Sequence, residues 1–338
     1  MAKKTLEDIS RLSGISKTVI SRVLSGKAEE YRISKATVEK VLDVCRREHY
    51  QPNYLAQLLR TQTSKTIGLI LPRTDYEFFG GLATTVIAEA YKHGYTVITM
   101  VTQEDPRHET EAIETLMKRQ VDGIIISPCN PSADMLRELA KELPLVLIDR
   151  YYEDDTLSYV STNNYEGAKS AVNFLTGLGH RHILCLQADI KYKSVTERVR
   201  GAQDAAQEAG VSLIIRGDDL SRESGYVETM LALNSPTPPS AIFSLSLHNL
   251  TGAMQAIREK GLSVPDDISL ITFDDSRFLD YTTPSITRIV QPTEKLCTTA
   301  FKVLSDSIAH KTSCQAHLLV SPTFCMRDSV KSMLARQA

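Results

Sequence analysis

Residues 5–24 carry a helix, a break and a second helix in one short run, and few folds accept that spacing. Leu6, Ile9 and Leu12 recur at helical intervals, Ser13-Gly14 interrupts them, and Val19, Ile20, Val23 and Leu24 resume the pattern. Thr5 is placed to cap the first helix with Asp8 as its capping-box partner, and Ser16 to cap the second. Two short helices joined by a glycine-containing turn form a helix-turn-helix, whose second helix is shaped to enter a DNA major groove.

Charge follows the same division. Residues 1–60 hold twelve Lys and Arg against seven Asp and Glu, a balance of +5, whereas the rest of the chain holds 27 against 34, a balance of -7. A basic head on an acidic body is the electrostatic footprint of nucleic-acid contact. No apolar run reaches the roughly 18 to 20 residues of a membrane span. The charged N-terminus lacks the apolar stretch of a secretory leader, so a cytoplasmic protein is expected. Cys45, Cys129, Cys185, Cys297, Cys314 and Cys325 are scattered without a CxxC pair, as expected of reduced, mostly buried thiols. His180 and His182 precede a strand with no further ligand nearby, so no metal site is expected.

Beyond the polar Ser25–Ile33 stretch, Ser34 caps a third helix with Val38, Val41, Leu42 and Cys45 on one face, and Tyr50-Gln51-Pro52-Asn53 ends it. Residues 54–60 are again helix-competent. From Thr66 the texture alternates. Strands are predicted at 67–71, 96–100, 123–127, 145–148, 183–186, 241–243 and 269–273, with amphipathic helices at 82–93, 109–119, 133–142, 166–178, 195–209, 224–233 and 250–260. Such alternation specifies parallel sheets covered on both faces, and so many strands imply two successive doubly wound α/β lobes behind an all-α head, joined near residues 159–164. Ligands of open α/β sheets bind beyond the strands' carboxyl ends. That rule singles out Phe78 and Phe79, Ser127 to Asn130, Asp149 and Arg150, and Asp274 and Asp275, a set suited to a polar molecule with flat faces, such as a sugar or nucleoside. The paired aspartates 154/155, 218/219 and 266/267 read as loop and cap residues. No GxGxxG, GxxxxGK[ST] or GxSxG is present, so nothing argues for a nucleotide cofactor or a nucleophile elbow, and no enzyme and no cofactor are expected.

With both halves placed, the whole chain resembles the LacI/GalR family of bacterial transcription repressors. The resemblance is carried by Thr5-Leu-x-Asp-Ile-Ser through Gly14-Ile-Ser and Ile20-Ser21-Arg22-Val-Leu, by Tyr50-x-Pro52-Asn53-x-x-Ala56-x-x-Leu59, and by the body's Val121-Asp122-Gly123-Ile124-Ile125. Gly179-His180-Arg181-His182-Ile183, Arg198-x-x-Gly201, Val264-Pro265-Asp266-Asp267-Ile268-Ser269 and Met326-Arg327-Asp328-Ser329 add to it.

The resemblance implies a homodimer reading a pseudo-palindromic DNA operator, under control of a small molecule, most simply a carbohydrate, held between two lobes like those of periplasmic sugar-binding proteins. It implies a head of 1–60 with a hinge helix at about 53–60. The body, 61–338, comprises an N-lobe at about 66–160 and 292–321 and a C-lobe at about 161–291 and 322–338. It assigns Lys17 and Thr18, with Arg22 nearby, to base edges. Ser16 and Ser21 go to phosphates, and Thr5 and Asn53 to further DNA contacts. Ala56 is assigned to the minor groove, and Leu59 to a wedge between central base pairs. For the effector it points to Phe78, Phe79, Asp149, Arg150, Ser194, Arg198, Phe243 and Asp274, with Arg198 and Asp274 facing each other across the lobes as opposed charges. Two departures stand out: Leu247 occupies a position where many members carry an acid or amide, and Ser25–Ile33 is about three residues longer than the family pattern. The chain stops soon after Arg327-x-Ser329 with no heptad tail, which favours a dimer over a tetramer. Two other classes stay open on the residues alone: a sugar- or nucleoside-binding receptor, and a converting enzyme on the same fold.

Overall fold

The computed structural model describes residues 4–50, 63–154, 156–187, 192–310 and 315–334. It divides into two units, Met1–Ser64 and Lys65–Ala338. The first holds α1 (Leu6–Ser13), α2 (Lys17–Leu24) and α3 (Lys35–Arg47). Thr5 and Asp8 form the full capping box, with the Thr5 N–H donating to the Asp8 carboxylate at 3.0 Å. Gly14 closes α1 in the left-handed region at φ 70°, a conformation glycine adopts without steric cost. Ser16 caps α2 and Ser34 caps α3. Ile9, Ile20, Val23, Val41, Val44 and Cys45 bury against one another between the helices. Leu12 stays half exposed despite its helical spacing. Asn53, Ala56 and Leu59 lie outside the described residues.

The second unit begins with β1 (Thr66–Leu71), β2 (Thr96–Val101), β3 (Gly123–Ile126), β4 (Leu145–Ile148) and β5 (Tyr159–Thr162). Between them run α4 (Glu77–Lys92), α5 (Pro106–Lys118) and α6 (Asp134–Glu142). The chain then passes through α7 (Asn164–Gly177), β6 (His182–Leu186), α8 (Lys193–Ala209), β7 (Ser212–Arg216) and α9 (Arg222–Leu233). It continues with β8 (Ala241–Ser244), α10 (Leu247–Glu259), β9 (Ser269–Phe273) and β10 (Thr287–Val290), and ends with α11 (Thr293–His310), β11 (His317–Val320) and β12 (Thr323–Cys325).

Two six-stranded sheets result, ordered β11-β5-β4-β3-β1-β2 and β12-β10-β9-β8-β6-β7. All pairings are parallel except β10 with β12, which is antiparallel. The chain crosses between the sheets after β5, after β10 and after β11. Strand alternation explains the two-sided burial: Ile67, Leu69 and Leu71 enter one core cluster while Ile70 enters the other, and Ile125 alternates with Ile124 and Ile126. The second sheet repeats this, with Ile183 and Cys185 on one face and Leu184 and Leu186 on the other. Helix pairs close on it through glycines. A Cβ on Gly201 would stand 2.2 Å from the Tyr165 carbonyl oxygen, so α7 and α8 touch backbone to backbone.

Cys45, Cys129, Cys185 and Cys297 are free and buried, and Cys325 is free and half buried, while Cys314 is outside the described residues. His180 is enclosed too. Its Nδ1 meets Ser240 Oγ at 2.9 Å and its Nε2 the Lys331 carbonyl at 3.1 Å, which leaves neither nitrogen for a ligand.

Candidate functional site

Strand order sets the two lobes in register with each other. β4 and β9 hold the same place in their sheets, and each is followed by an aspartate in the left-handed region, Asp149 at φ 65° and Asp274 at φ 78°. Left-handed non-glycine residues are costly and gather at functional sites, with aspartate among the residues that tolerate them best. Both aspartates line a cavity of about 440 Å³ between the lobes.

The first-lobe wall comes from Tyr76, Glu77, Phe78 and Phe79 at the start of α4, Glu104 after β2, and Asp149-Arg150 after β4. Arg150 is buried and already paired. Its two terminal nitrogens donate to the two Glu104 carboxylate oxygens at 2.7 Å each, and its plane lies 4.1 Å from the Tyr192 ring centroid. The second-lobe wall is built from Tyr192, Ser194 and Arg198 at the start of α8, Asp219 before α9, Leu247 and His248 at the start of α10, and Asp274.

Arg198 anchors this wall. Nε donates to Asn164 Oδ1 at 2.7 Å, Nη1 to the Leu245 carbonyl at 2.8 Å, and Nη2 lies 3.5 Å from Asp274 Oδ1. The guanidinium covers the Phe273 ring at 3.7 Å from its centroid. From Asp274 the polar chain continues into the crossing segments, since Gln291 Nε2 donates to Asp274 Oδ1 and Thr162 Oγ1 donates to Gln291 Oε1, both at 2.6 Å. Asp149 differs: among the described residues its carboxyl accepts no hydrogen bond. Burial pushes that carboxyl up to about 6, a rise that the Arg198 and Arg150 charges only partly offset.

Several contacts among the described residues join the lobes at the rim, a Lys193–Glu153 ion pair among them. The Tyr76 and His248 rings pack with centroids 3.9 Å apart, Ser276 donates to the Glu77 carboxylate, and the Tyr192 hydroxyl donates to the Cys129 carbonyl at 2.9 Å. Burial also holds the His248 imidazole below its ordinary value, which favours the neutral ring in that stack.

Phe78, Phe79, Asp149, Arg150, Ser194, Arg198 and Asp274 therefore converge on one cavity. Phe243 does not. It sits on the β8 face covered by α7 and α8, fully buried with Ile271 and Phe273, and the cavity is lined instead by Ser246, Leu247 and His248 just downstream. The geometry of the charged pair also differs from expectation, because Arg198 and Asp274 belong to the same lobe and pair within it; the first lobe contributes Asp149. Asp219, expected as a loop residue, does accept from Ser221 N through its Oδ1 at 2.9 Å, yet it also lines the cavity. Ser127 to Asn130 are turned away, with the Cys129 and Asn130 amides donating to Glu109.

On the head, Ser16, Lys17 and Thr18 are exposed in succession at the start of α2, with Ser21 and Arg22 half buried one turn on. Lys17 Nζ pairs with Glu7 Oε1 at 2.7 Å. The hydroxyls of Thr5 and Ser16 serve as helix caps.

Residues 5–53 match the family described as bacterial regulatory proteins, lacI family, and residues 172–330 match the periplasmic binding protein-like domain. A ribose operon repressor of Haemophilus influenzae is 30% identical over 97% of this chain and 99% of its own length. A transcriptional repressor named PurR, from Mannheimia succiniciproducens, is 29% identical over 97% of this chain and 99% of its own. Among solved structures, the lac repressor dimer bound to operator and an anti-inducer matches 98% of this chain and 100% of its own, with a TM-score of 0.86 at 24% identity, a likeness of fold.

Proposed function

The chain belongs to the lacI family of bacterial regulatory proteins, and from that premise we propose an operator-binding repressor governed by a neutral, polyhydroxylated effector of the monosaccharide class. The cavity carries the reading. Both of its guanidiniums are already matched by carboxylates, Arg150 by Glu104 and Arg198 by Asp274, while among the described residues the Asp149 carboxyl has no hydrogen-bond donor. A ligand entering there is asked for hydroxyl donors to the carboxylate and for flat apolar faces against Tyr76, Phe78, Phe79 and Tyr192, and a sugar ring supplies both. None of these residues forms a nucleophile-base pair, so a binding rather than a converting role is favoured.

The head, with Lys17, Thr18 and Arg22 at base edges and Ser16 and Ser21 at phosphates, reads one half-site, and a second copy reads the other. Homodimerisation is proposed from the lac repressor dimer on its operator, whose fold this chain shares. No helix among the described residues is long and apolar enough to cross a membrane, and a regulator of operators acts in the cytoplasm. Effector contact at Asp274 biases Gln291 and Thr162 in the crossing segments, so lobe angle, and with it the spacing of the two heads, depends on occupancy.

The test is a thermal-shift panel of monosaccharides and nucleosides, followed by gel shifts on the DNA upstream of the gene with and without the hit. A sugar at a hundred times its Kd is expected to raise Tm by about 5 to 10 °C and to change DNA retention. Absence of sequence-specific retention at every salt concentration would refute the repressor. Leu59, the expected wedge, gives a second check: Leu59→Ala is expected to weaken operator binding by about ten- to a hundredfold and to reduce the bend. The effector-induced Tm shift should be unchanged. Unaltered affinity and bend would remove Leu59 from the interface.

A further inference from the structure

The longer loop after α2 is a built element. Tyr31 N donates to the Lys27 carbonyl at 3.2 Å and Ile33 N to the Ala28 carbonyl at 2.9 Å, so residues 28–32 wind into one helical turn. Arg32 closes it in the left-handed region at φ 51°. This turn sets the Tyr31 ring, which is 43% exposed, beneath the guanidinium of Arg22, at 3.7 Å from carbon to ring centroid.

The two basic side chains of α2 are thus held in opposite ways. Lys17 spends its ammonium on Glu7, an acceptor that DNA must displace. Arg22 is gripped by its face alone, and among the described residues its guanidinium donates no hydrogen bond. Stacking uses the π-face of a guanidinium and leaves its edge of N–H donors free. That edge is the part that forms the bidentate contact to guanine O6 and N7, and a fixed plane is what makes the contact selective.

We propose that Tyr31, delivered by the extra residues of the Ser25–Ile33 loop, is a positioning residue that fixes the plane of Arg22 for base readout. The inference rests on the head's role as an operator reader. It makes Tyr31 a determinant of sequence preference without requiring the ring to touch a base. Losing an exposed stack of this kind weakens each half-site by roughly two- to fivefold, and a two-half-site operator by about five- to thirtyfold.

The full-length protein is used to select from a randomised duplex DNA library, and the same selection is repeated with Tyr31→Phe, Tyr31→Leu and Arg22→Ala. Wild type and Tyr31→Phe are expected to agree in sequence preference and to bind the selected duplex within about twofold. Tyr31→Leu, which keeps apolar bulk but not the ring, is expected to lose preference at one symmetric pair of base positions, the same pair that Arg22→Ala flattens. In the Arg22→Ala background, changing Tyr31 to Leu should then cost little more. The idea is overturned if Tyr31→Leu keeps the wild-type preference, if it weakens all sequences equally, or if Tyr31→Phe is as damaging as Tyr31→Leu. A wild-type protein that enriches no sequence fails differently, since it removes the operator-reading head itself.

Discussion

Arg198→Ala is expected to abolish the effector response and to destabilise the body by about 3 to 5 kcal/mol, the range for breaking a buried charge pair by removing one partner. The effect is large because one guanidinium serves several groups. It satisfies Asn164 and the Leu245 carbonyl, covers Phe273 and faces Asp274. It also supplies the largest favourable charge felt by Asp149. Without it two carboxylates share a cavity from which their cation has gone, and the Asn164 side chain loses its donor. Arg198→Lys separates charge from shape: one ammonium restores a positive centre but cannot reach three acceptors in a planar fork. Its stability is expected to lie between wild type and Arg198→Ala, and its effector response to remain lost. Thermal unfolding with and without the effector sugar, beside a gel shift in its absence, measures all three quantities. Operator retention should persist in both variants below their melting temperatures, because the helical head has its own core. A full effector response in Arg198→Lys would show that the anchor lies elsewhere in the cavity.

Where a residue's role follows from its immediate neighbours, the sequence was readable. Thr5, Ser16 and Ser34 cap because a short polar side chain precedes an amphipathic run, and all three do so in the structure. The strand-end rule found Asp149, Arg150 and Asp274, and applied equally to β2 it would have found Glu104. Phe243 came from the resemblance alone, which gives a level along the sheet and not a face: one residue's phase along β8 decides between core and cavity, and it turns Phe243 into the core. Tyr76, Tyr192 and His248 were out of reach for another reason. Each matters through a partner in the opposite lobe, and a contact between residues as distant in sequence as Tyr76 and His248 leaves no local pattern. Tyr31 lies in the polar Ser25–Ile33 stretch, whose composition does not reveal that residues 28–32 wind into a turn.

Asp149→Asn is expected to move stability and binding in opposite directions. The carboxyl rises from 3.8 to about 6, so the folded protein holds this proton more tightly than the unfolded chain does. Its contribution is therefore a penalty that is absent below about pH 4, grows as pH climbs towards 6, and is complete above that, where it amounts to roughly 3 kcal/mol. Asparagine removes the ionisation. At pH 8 the effector-free variant should melt higher than wild type, and by pH 4.5 most of that advantage should have vanished. Binding runs the other way. If effector hydroxyls donate to the carboxylate, wild-type affinity rises as pH passes through 6 and levels off above 7. The variant should bind about ten- to a hundredfold more weakly, the worth of a charged hydrogen-bond acceptor, with no inflection near pH 6. Calorimetric titration of the effector sugar at several pH values reads the binding arm, and melting curves in the same buffers read the stability arm. A wild-type affinity that instead increases on acidification would mean that the protonated carboxyl is the donor, and would require an effector rich in acceptors at that position. Stability should not report on that choice, because the penalty on Asp149 is set by burial before any ligand arrives.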